Sequence, residues 1–222
     1  MLYVIGTPIG NLNDITLRAL EALKGADVIA AEDTRHSGNL LRHFDIRKPL
    51  VSYHEHNEAM RTAELSERLA AGEIVALITD AGMPGVSDPG ARLIRACIER
   101  GLEYTIVPGV SAVLTALVGS GFPIDRFSYE GFLPVKSGGR ERELRAAAER
   151  EETTVFFESP YRINKTLAAC AEIMPDRTLC VARELTKKFE EFRRGSAAEL
   201  LAHYEAHPAK GEITFLVSGR GR

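Results

Sequence analysis

Residues 74–90 read IVALITDAGMPGVSDPG, and this stretch decides the fold class. Its first six residues are apolar or β-branched, as in a strand buried on both faces, and the rest form a loop rich in glycine and proline. Asp88 is the predicted N-cap of a following helix, with Pro89 in its first turn and Gly101 at its end. The apolar stripe of that helix consists of Leu93, Ile94, Cys97 and Ile98. The segment therefore predicts a strand, a loop and a helix in succession.

The same alternation extends over the first half of the chain. A second clear helical pattern runs from about Glu58 to Ala71, and Gly72 is its predicted C-terminal stop. Strands that alternate with helices in this way are typical of a parallel sheet with crossover helices. Together with Ile74–Thr79, the predicted strands are Leu2–Ile5, Asp27–Ala31, Leu50–Tyr53 and Tyr104–Val107.

The second half is also predicted to be α/β. One helix is expected to be capped by Ser159 with Pro160 at its first position, and another to open with a capping box from Ser196 to Glu199. Because residues 119–125 are rich in glycine and proline, we predict a domain boundary there, giving domains 1–118 and 119–222. The predicted strands of this half are Thr153–Phe157, Thr178–Ala182 and Glu212–Val217.

Composition limits the possible functions. The 222 residues are 45% hydrophobic and 27% charged, as in ordinary globular proteins rather than disordered chains. A net charge of −3 does not suit a general nucleic-acid coating protein, so any RNA contact must be local. No apolar run approaches the about 18 residues of a membrane span, and the amino terminus lacks the charged region of a signal peptide, so a cytoplasmic location is predicted. The three cysteines are predicted to be buried hydrophobes, Cys97, Cys170 and Cys180.

Three predicted strands end in loops rich in glycine or proline, at residues 6–12, 80–90 and 107–112. In an open α/β sheet, ligands bind beyond the carboxyl ends of the strands, so these loops predict a ligand site. Neither G-x-G-x-x-G after the first strand nor the P-loop pattern is present, which disfavours a dinucleotide or ATP. An adenosine compound without phosphates fits such loops. S-adenosylmethionine is one such compound, although the residues alone do not select it.

Six motifs occur in order along the chain, and together they resemble a known family. The resemblance covers residue 1 to about residue 219 and is to the cytidine 2′-O-methyltransferases of small-subunit ribosomal RNA, a branch of the tetrapyrrole methylase superfamily. It implies two α/β domains with S-adenosylmethionine in the cleft between them, a homodimer, and 16S ribosomal RNA as the substrate. The family usually continues with a small helical extension, which the sequence ending at Arg222 does not contain. The motifs are residues 6–18, 32–35, 80–90, 107–112, 158–162 and 183–187.

The loops and the resemblance together predict the residues of the cofactor site. Methyl transfer from a sulfonium needs alignment and removal of one proton, and no step of it requires a metal. From the first domain the predicted cofactor contacts are Pro8, Thr79, Asp80, Ala81, Gly82, Pro84, Ser111 and Ala112. The resemblance adds Phe157, Glu158 and Gly195 from the second domain.

No general base can be assigned from the sequence. The candidate catalytic residues are Asp80, Glu32, Asp33 and Lys187, since a carboxylate or a lysine of lowered pKa can accept the hydroxyl proton. Asp33 has an alternative role as the N-cap of a helix that starts near Thr34. His54 and His56 fit a polar loop better than a metal site, because further ligands are missing.

RNA contacts are predicted at basic residues, with ordinary salt bridges or a solvated helix face as the alternative reading. The segment from Lys136 to Gly139 is predicted to be a flexible loop that clamps RNA. Aromatic candidates for stacking on an extruded base are Tyr53, Phe132 and Tyr161, with core packing as the alternative. The predicted RNA-binding residues are Arg35, Lys136, Arg140, Arg162, Lys187 and Lys188.

Two other functions compete with the RNA methyltransferase. One is another methylase of the same superfamily, acting on a corrin precursor or in the diphthamide pathway, although the motifs at 32–35 and 183–187 favour the RNA branch. The other is a non-catalytic module that binds S-adenosylmethionine. An assay of methyl transfer to RNA distinguishes such a module from an enzyme.

Overall fold

The computed structural model describes residues 1–220, which form two compact units. The first unit is Met1–Ser111 and the second begins at Ala112. The division lies earlier than the predicted boundary between residues 118 and 119, which falls inside helix α5 (Ala112–Ser120). This helix packs against three strands of the second unit and belongs with them.

The first unit contains a fully parallel five-stranded sheet. Its strand order is β3-β2-β4-β1-β5, so the carboxyl ends of all five strands meet at one edge. All five strands predicted in this half are confirmed, with ends that differ by no more than about one residue. They are β1 (Leu2–Ile5), β2 (Val28–Ala31), β3 (Leu50–Ser52), β4 (Val75–Ile78) and β5 (Tyr104–Val107).

Helices cover both faces of this sheet, and the alternation of strand side chains explains why. Ile5, Ile29 and Ile78 point to the face that packs on α1 and α2. Leu2 and Leu77 point to the opposite face, which packs on α3 and α4. The central strands β1, β2 and β4 are apolar on both faces, so the sheet is stable only when both are covered there. The helices are α1 (Leu17–Gly25), α2 (Thr34–His43), α3 (Glu58–Ala70) and α4 (Ala91–Arg100).

Two predicted helix caps have different outcomes. Asp33 caps α2 as predicted, because its carboxylate accepts the amide of Arg35 at 2.8 Å. The prediction that Asp88 caps α4 is wrong. The helix begins two residues after Pro89, and its N-cap is Gly90, at φ +146°, with no side-chain cap. Gly101 ends α4 in the left-handed conformation, as predicted.

The second unit contains a mixed five-stranded sheet of order β6-β7-β10-β8-β9. Strands β6 and β7 are parallel, whereas the other neighbours are antiparallel. Its core includes Leu144, Phe156, Leu167, Leu200 and Phe215. The strands are β6 (Phe127–Phe132), β7 (Thr153–Glu158), β8 (Leu179–Arg183), β9 (Glu191–Gly195) and β10 (Ile213–Val217). Besides α5, the helices are α6 (Ser137–Glu149), α7 (Ile163–Ile173) and α8 (Ala197–Ala206).

Predictions for the helix starts of this unit are partly confirmed. The capping box from Ser196 to Glu199 is present. Helix α7 begins later than predicted, because the Ser159 carbonyl accepts the amides of Arg162 and Ile163 in a separate turn. The prediction of a flexible loop from Lys136 to Gly139 is wrong, since Ser137 begins α6. Burial of Leu144 and Ala147 from this helix offsets the low helix propensity of its glycines.

All three cysteines are buried and unpaired, which confirms their prediction as small core residues. In the described part of the chain, every helix is too short or too polar to cross a membrane.

Candidate functional site

The loops that follow β1, β4 and β5 are joined by backbone hydrogen bonds at the carboxyl edge of the first sheet. The Gly6 amide donates to the Val107 carbonyl at 3.0 Å. Thr7 and Gly82 form a two-way bridge, with N–O distances of 2.9 and 3.1 Å. The three loops that were predicted to converge therefore lie together.

Glycine is required where two of these loops cross. A Cβ on Gly6 would lie 2.8 Å from the Gly109 amide nitrogen and 2.6 Å from the Met83 sulfur. A Cβ on Gly109 would lie 2.9 Å from the Gly6 backbone. Since real Cβ contacts essentially never fall below 3.0 Å, both positions exclude a side chain unless the backbone moves.

The exit of β4 is fixed by a buried threonine of the first loop. The Thr7 hydroxyl donates to the Thr79 carbonyl at 3.1 Å, and both residues are almost fully buried. Two residues beyond Asp80, Gly82 has φ +77°, in the left-handed region. Thr7, which follows β1, therefore anchors the backbone segment that contains the predicted contacts Thr79–Gly82 and Pro84.

Three carboxylates interact electrostatically at this edge, and we call Glu32, Asp80 and Asp88 the acidic cluster. Asp80 accepts the Asp33 amide at 3.1 Å, which links the loop after β2 to the loop after β4. Burial, followed by the charge of Asp80, raises the pKa of Glu32. Burial, followed by the charges of Glu32 and Asp80, raises the pKa of Asp88 to about 6. A carboxylate with this pKa is a better proton acceptor near neutrality than an ordinary aspartate.

Asp33 is less suited to proton transfer than the acidic cluster. Its carboxylate caps α2 and receives side-chain hydrogen bonds from Arg35. These bonds hold the pKa of Asp33 below its ordinary value. The helix-cap role of Asp33 is therefore observed, whereas its role as a general base stays a prediction.

A small cavity of about 150 Å³ opens beside Asp80. It combines apolar side chains with one carboxylate and the polar groups of α2. Its position beyond the strand ends is where ligands bind in open α/β sheets. The lining residues are Thr7, Pro8, Leu12, His36, Asn39, Leu40 and Asp80.

Of the predicted cofactor residues in the second unit, Ala112 begins α5, Phe157 and Glu158 end β7, and Gly195 ends β9. The Glu158 side chain is fully buried and pairs with Arg162 at 2.7 Å and with the Thr166 hydroxyl at 2.6 Å. Its carboxylate is therefore engaged within its own unit, and any ligand contact at this position would come from the backbone.

The structure separates the predicted RNA-binding residues into buried and exposed groups. Arg140 is only 7% exposed and donates to the Val135 carbonyl, so its side chain lies under the surface rather than on a basic face. Arg162 donates to the Leu133 carbonyl in addition to its pair with Glu158. Lys136 and Lys188 are exposed. Arg35 is exposed as well, although it pairs with Asp33.

Lys187 is unsuited to act as a general base. Its ammonium lies 2.8 Å from Glu184 and 2.7 Å from Glu212. Burial lowers its pKa, but the hydrogen bonds that the ammonium donates to these two carboxylates, together with their negative charges, outweigh burial and raise the pKa overall. The lysine therefore remains a cation, whereas a base must be neutral.

The aromatic candidates also divide by burial. Tyr53 is fully buried, and its hydroxyl bonds to the Thr62 hydroxyl at 3.0 Å, so it is a core residue rather than a stacking platform. Tyr161 and Phe132 are exposed.

The predicted histidine pair does not form a metal site. Nε2 of His54 lies 3.1 Å from the side-chain nitrogen Nδ2 of Asn57. Over residues 1–220, no group of three or more His, Cys, Asp or Glu side chains is arranged to hold a metal ion.

The chain matches a family model described as Tetrapyrrole (Corrin/Porphyrin) Methylases over residues 1–201. Similar proteins include "Ribosomal RNA small subunit methyltransferase I" of Synechocystis sp., 46% identical over 99% of this chain and 79% of the relative. The protein of that name from Thermotoga maritima is also 46% identical, over 99% of this chain and 98% of the relative.

Two solved structures illustrate the fold. A diphthine synthase superimposes with a TM-score of 0.76 at 17% identity, covering 99% of this chain and 90% of the other. The uroporphyrin-III-C-methyltransferase of Thermus thermophilus has a TM-score of 0.67 at 23% identity, covering 98% and 93%. At these identities the likeness concerns the fold alone. The family match and the two relatives at 46% identity show that the chain belongs to the tetrapyrrole methylase family, in the branch of the ribosomal RNA small subunit methyltransferases I.

Proposed function

We propose that this chain transfers a methyl group from S-adenosylmethionine to the ribose 2′-hydroxyl of a cytidine in 16S ribosomal RNA. The observation that carries the proposal is near-half identity, over almost the whole chain, to proteins named ribosomal RNA small subunit methyltransferase I. The corrin and diphthamide alternatives have less support, because the structural neighbours named uroporphyrin-III-C-methyltransferase and diphthine synthase are only 23% and 17% identical to this chain.

The residues at the edge of the first sheet suit S-adenosylmethionine. When bound, this cofactor supplies an electrophilic methyl group on a positively charged sulfur. The acidic cluster offers carboxylates that balance a positive charge and accept hydrogen bonds from ribose hydroxyls. The backbone from Thr79 to Gly82, together with Ser111 and Ala112, would hold the adenosine part. Phe157, Glu158 and Gly195 remain proposed contacts on the basis of family resemblance.

The chain must supply alignment of the hydroxyl and a proton acceptor. A ribose hydroxyl is weakly acidic, so its proton must leave as the oxygen attacks the methyl carbon and the carbon–sulfur bond breaks. We propose that the acidic cluster takes this proton, with Asp88 joining Glu32 and Asp80 as a candidate. The raised pKa values of Glu32 and Asp88 support this assignment.

RNA binding is proposed for the exposed basic residues Arg35, Lys136 and Lys188. Arg140, Arg162 and Lys187 are proposed to support the fold around them, because their side chains are buried or paired. A homodimer and a cytoplasmic site of action complete the proposal.

The experiment that tests the function is transfer of a tritiated methyl group to three substrates. These are small ribosomal subunits lacking the modification, free 16S RNA and intact ribosomes, each followed by nuclease mapping. We expect label on a cytidine ribose in at least one of the first two substrates. Absence of label in all three, with S-adenosylmethionine bound, would favour the non-catalytic alternative.

A further inference from the structure

Glu58, the first residue of α3, lies between two helices and the end of the loop at residues 80–90. One of its carboxylate oxygens, Oε1, accepts the Gly90 amide at 3.3 Å and the Tyr53 hydroxyl at 3.2 Å. The other, Oε2, lies 3.8 Å from Nε of Arg92. The side chain is only 20% exposed, so this carboxylate is held within the protein.

The contact with Gly90 satisfies one of the free backbone amides at the start of α4, that of the N-cap residue itself. Gly90 is the N-cap of α4, and it has no side chain to accept a hydrogen bond from the first turn. A carboxylate from another helix occupies the positive end of α4 instead, where a negative charge is stabilising. Glu58 therefore links the start of α3 to the start of α4, 32 residues later in the chain.

Gly90 in turn fixes the second half of the loop. A Cβ on Gly90 would lie only 3.0 Å from the Gly85 amide nitrogen, so the two backbones are closely packed. The Gly85 amide also donates to the Pro89 carbonyl at 3.2 Å. Because Asp88 lies inside this closed segment, its position depends on where Gly90 is held.

Glu58 also accepts a hydrogen bond from a residue of the core, Tyr53. The fully buried Tyr53 hydroxyl contacts Glu58 and the Thr62 hydroxyl, at 3.2 and 3.0 Å. A phenol has one proton, so if Tyr53 donates to Glu58, Thr62 donates to Tyr53. Burial raises the pKa of Tyr53 well above its ordinary value, so the phenol stays protonated and able to donate. Glu58 is therefore bonded to Tyr53 in the core and to Gly90 in the loop, whereas Thr62 is bonded to Tyr53.

We propose that Glu58 is a positioning residue for the cofactor loop, acting through Gly90 to hold residues 80–90 in the conformation that binds S-adenosylmethionine. This inference rests on the proposed function, since it takes that loop as part of the cofactor site. Glu58 itself is not placed in contact with the cofactor.

Three variants test the proposal by calorimetry with S-adenosylmethionine. Glu58→Ala removes the acceptor for Gly90 and should raise Kd about tenfold, the usual weight of one hydrogen bond to a charged group. Glu58→Gln keeps an oxygen for both donors and should stay within about threefold of the wild type. Thr62→Val is the matched control, because it removes a buried hydrogen bond of Tyr53 but keeps both hydrogen bonds of Glu58, those with Tyr53 and with Gly90.

A second measurement does not depend on the cofactor. Hydrogen exchange at the Gly90 amide should be faster in Glu58→Ala, and unchanged in Thr62→Val even if both variants have a lower Tm. Unchanged exchange in Glu58→Ala would overturn the proposal, as would a Kd for Thr62→Val raised as much as that of Glu58→Ala. If the wild-type chain binds no S-adenosylmethionine, the proposed function fails, and the exchange result still decides whether Glu58 holds the loop.

Discussion

Replacement of Gly82 by valine tests whether the loop after β4 forms the cofactor site. Gly82 has φ +77°, and both its amide and its carbonyl bond to Thr7, so its backbone cannot relax without breaking the bridge. The nearest atoms to a Cβ there are 3.7 and 3.8 Å away, so space is available and the cost is conformational. Holding a β-branched residue at positive φ costs about 1–3 kcal/mol.

Gly72 provides the matched control, because it has φ +90°, nothing lies within 4 Å of its Cβ position, and it precedes β4 instead of lying at the carboxyl ends of the strands. Urea unfolding should show Gly82→Val and Gly72→Val destabilised by similar amounts, on the order of 1–3 kcal/mol. Calorimetry should show a Kd for S-adenosylmethionine at least about tenfold higher, or 1.4 kcal/mol, for Gly82→Val alone. Equal affinities in both variants would refute the assignment of this loop to the cofactor.

Three further predictions concern charge. Asp88→Asn should stabilise the protein on the order of 1 kcal/mol above pH 7, after allowance for solvent screening. The native pKa of about 6 exceeds the unfolded value, so ionisation of Asp88 destabilises the fold increasingly from about pH 4 to 6. In urea titrations, a gain in unfolding free energy from Asp88→Asn that is as large at pH 4 as at pH 7 would contradict this. Arg162→Met leaves the buried Glu158 unpaired and should cost about 3 kcal/mol in unfolding free energy, with partial recovery on adding Glu158→Gln; no loss would refute the pairing. Lys136→Ala with Lys188→Ala should flatten the slope of log K for RNA against log salt by roughly 1.4, and an unchanged slope would mean neither lysine contacts phosphate.

Much of the first unit could be predicted because its signals are local. Its strands are short apolar runs, and Gly101 ends α4 through its own backbone conformation. Strands β6 and β9 were not predicted, since the sequence EFRRG of β9 is mostly charged and becomes a strand by pairing with β8. Tertiary pairing of this kind leaves no periodic signal in the strand itself.

The site was predictable in its loops but not in the pairing of its charges. Gly6 and Gly109 belong to motifs whose glycine content indicates close backbone approach, and the structure brings them together. Asp88 fits the pattern of a helix cap, and only the fold reveals that Gly90 takes that position. Lys187 reads as a free basic residue, although one of its partners, Glu212, lies 25 residues away in sequence. The type of a charged residue does not indicate a salt-bridge partner so far away in the sequence.

In the proposed reaction the methyl acceptor is a ribose 2′-hydroxyl, and an RNA that lacks this hydroxyl at one nucleotide tests that assignment. Small-subunit RNA is assembled with a single deoxycytidine at the position mapped by the labelling experiment, and tritiated methyl transfer is compared with the all-ribose RNA. Because deoxyribose lacks the acceptor oxygen, transfer should be abolished while RNA affinity is largely kept. Methylation of the deoxycytidine RNA at the same nucleotide would show that the 2′-hydroxyl is not the acceptor.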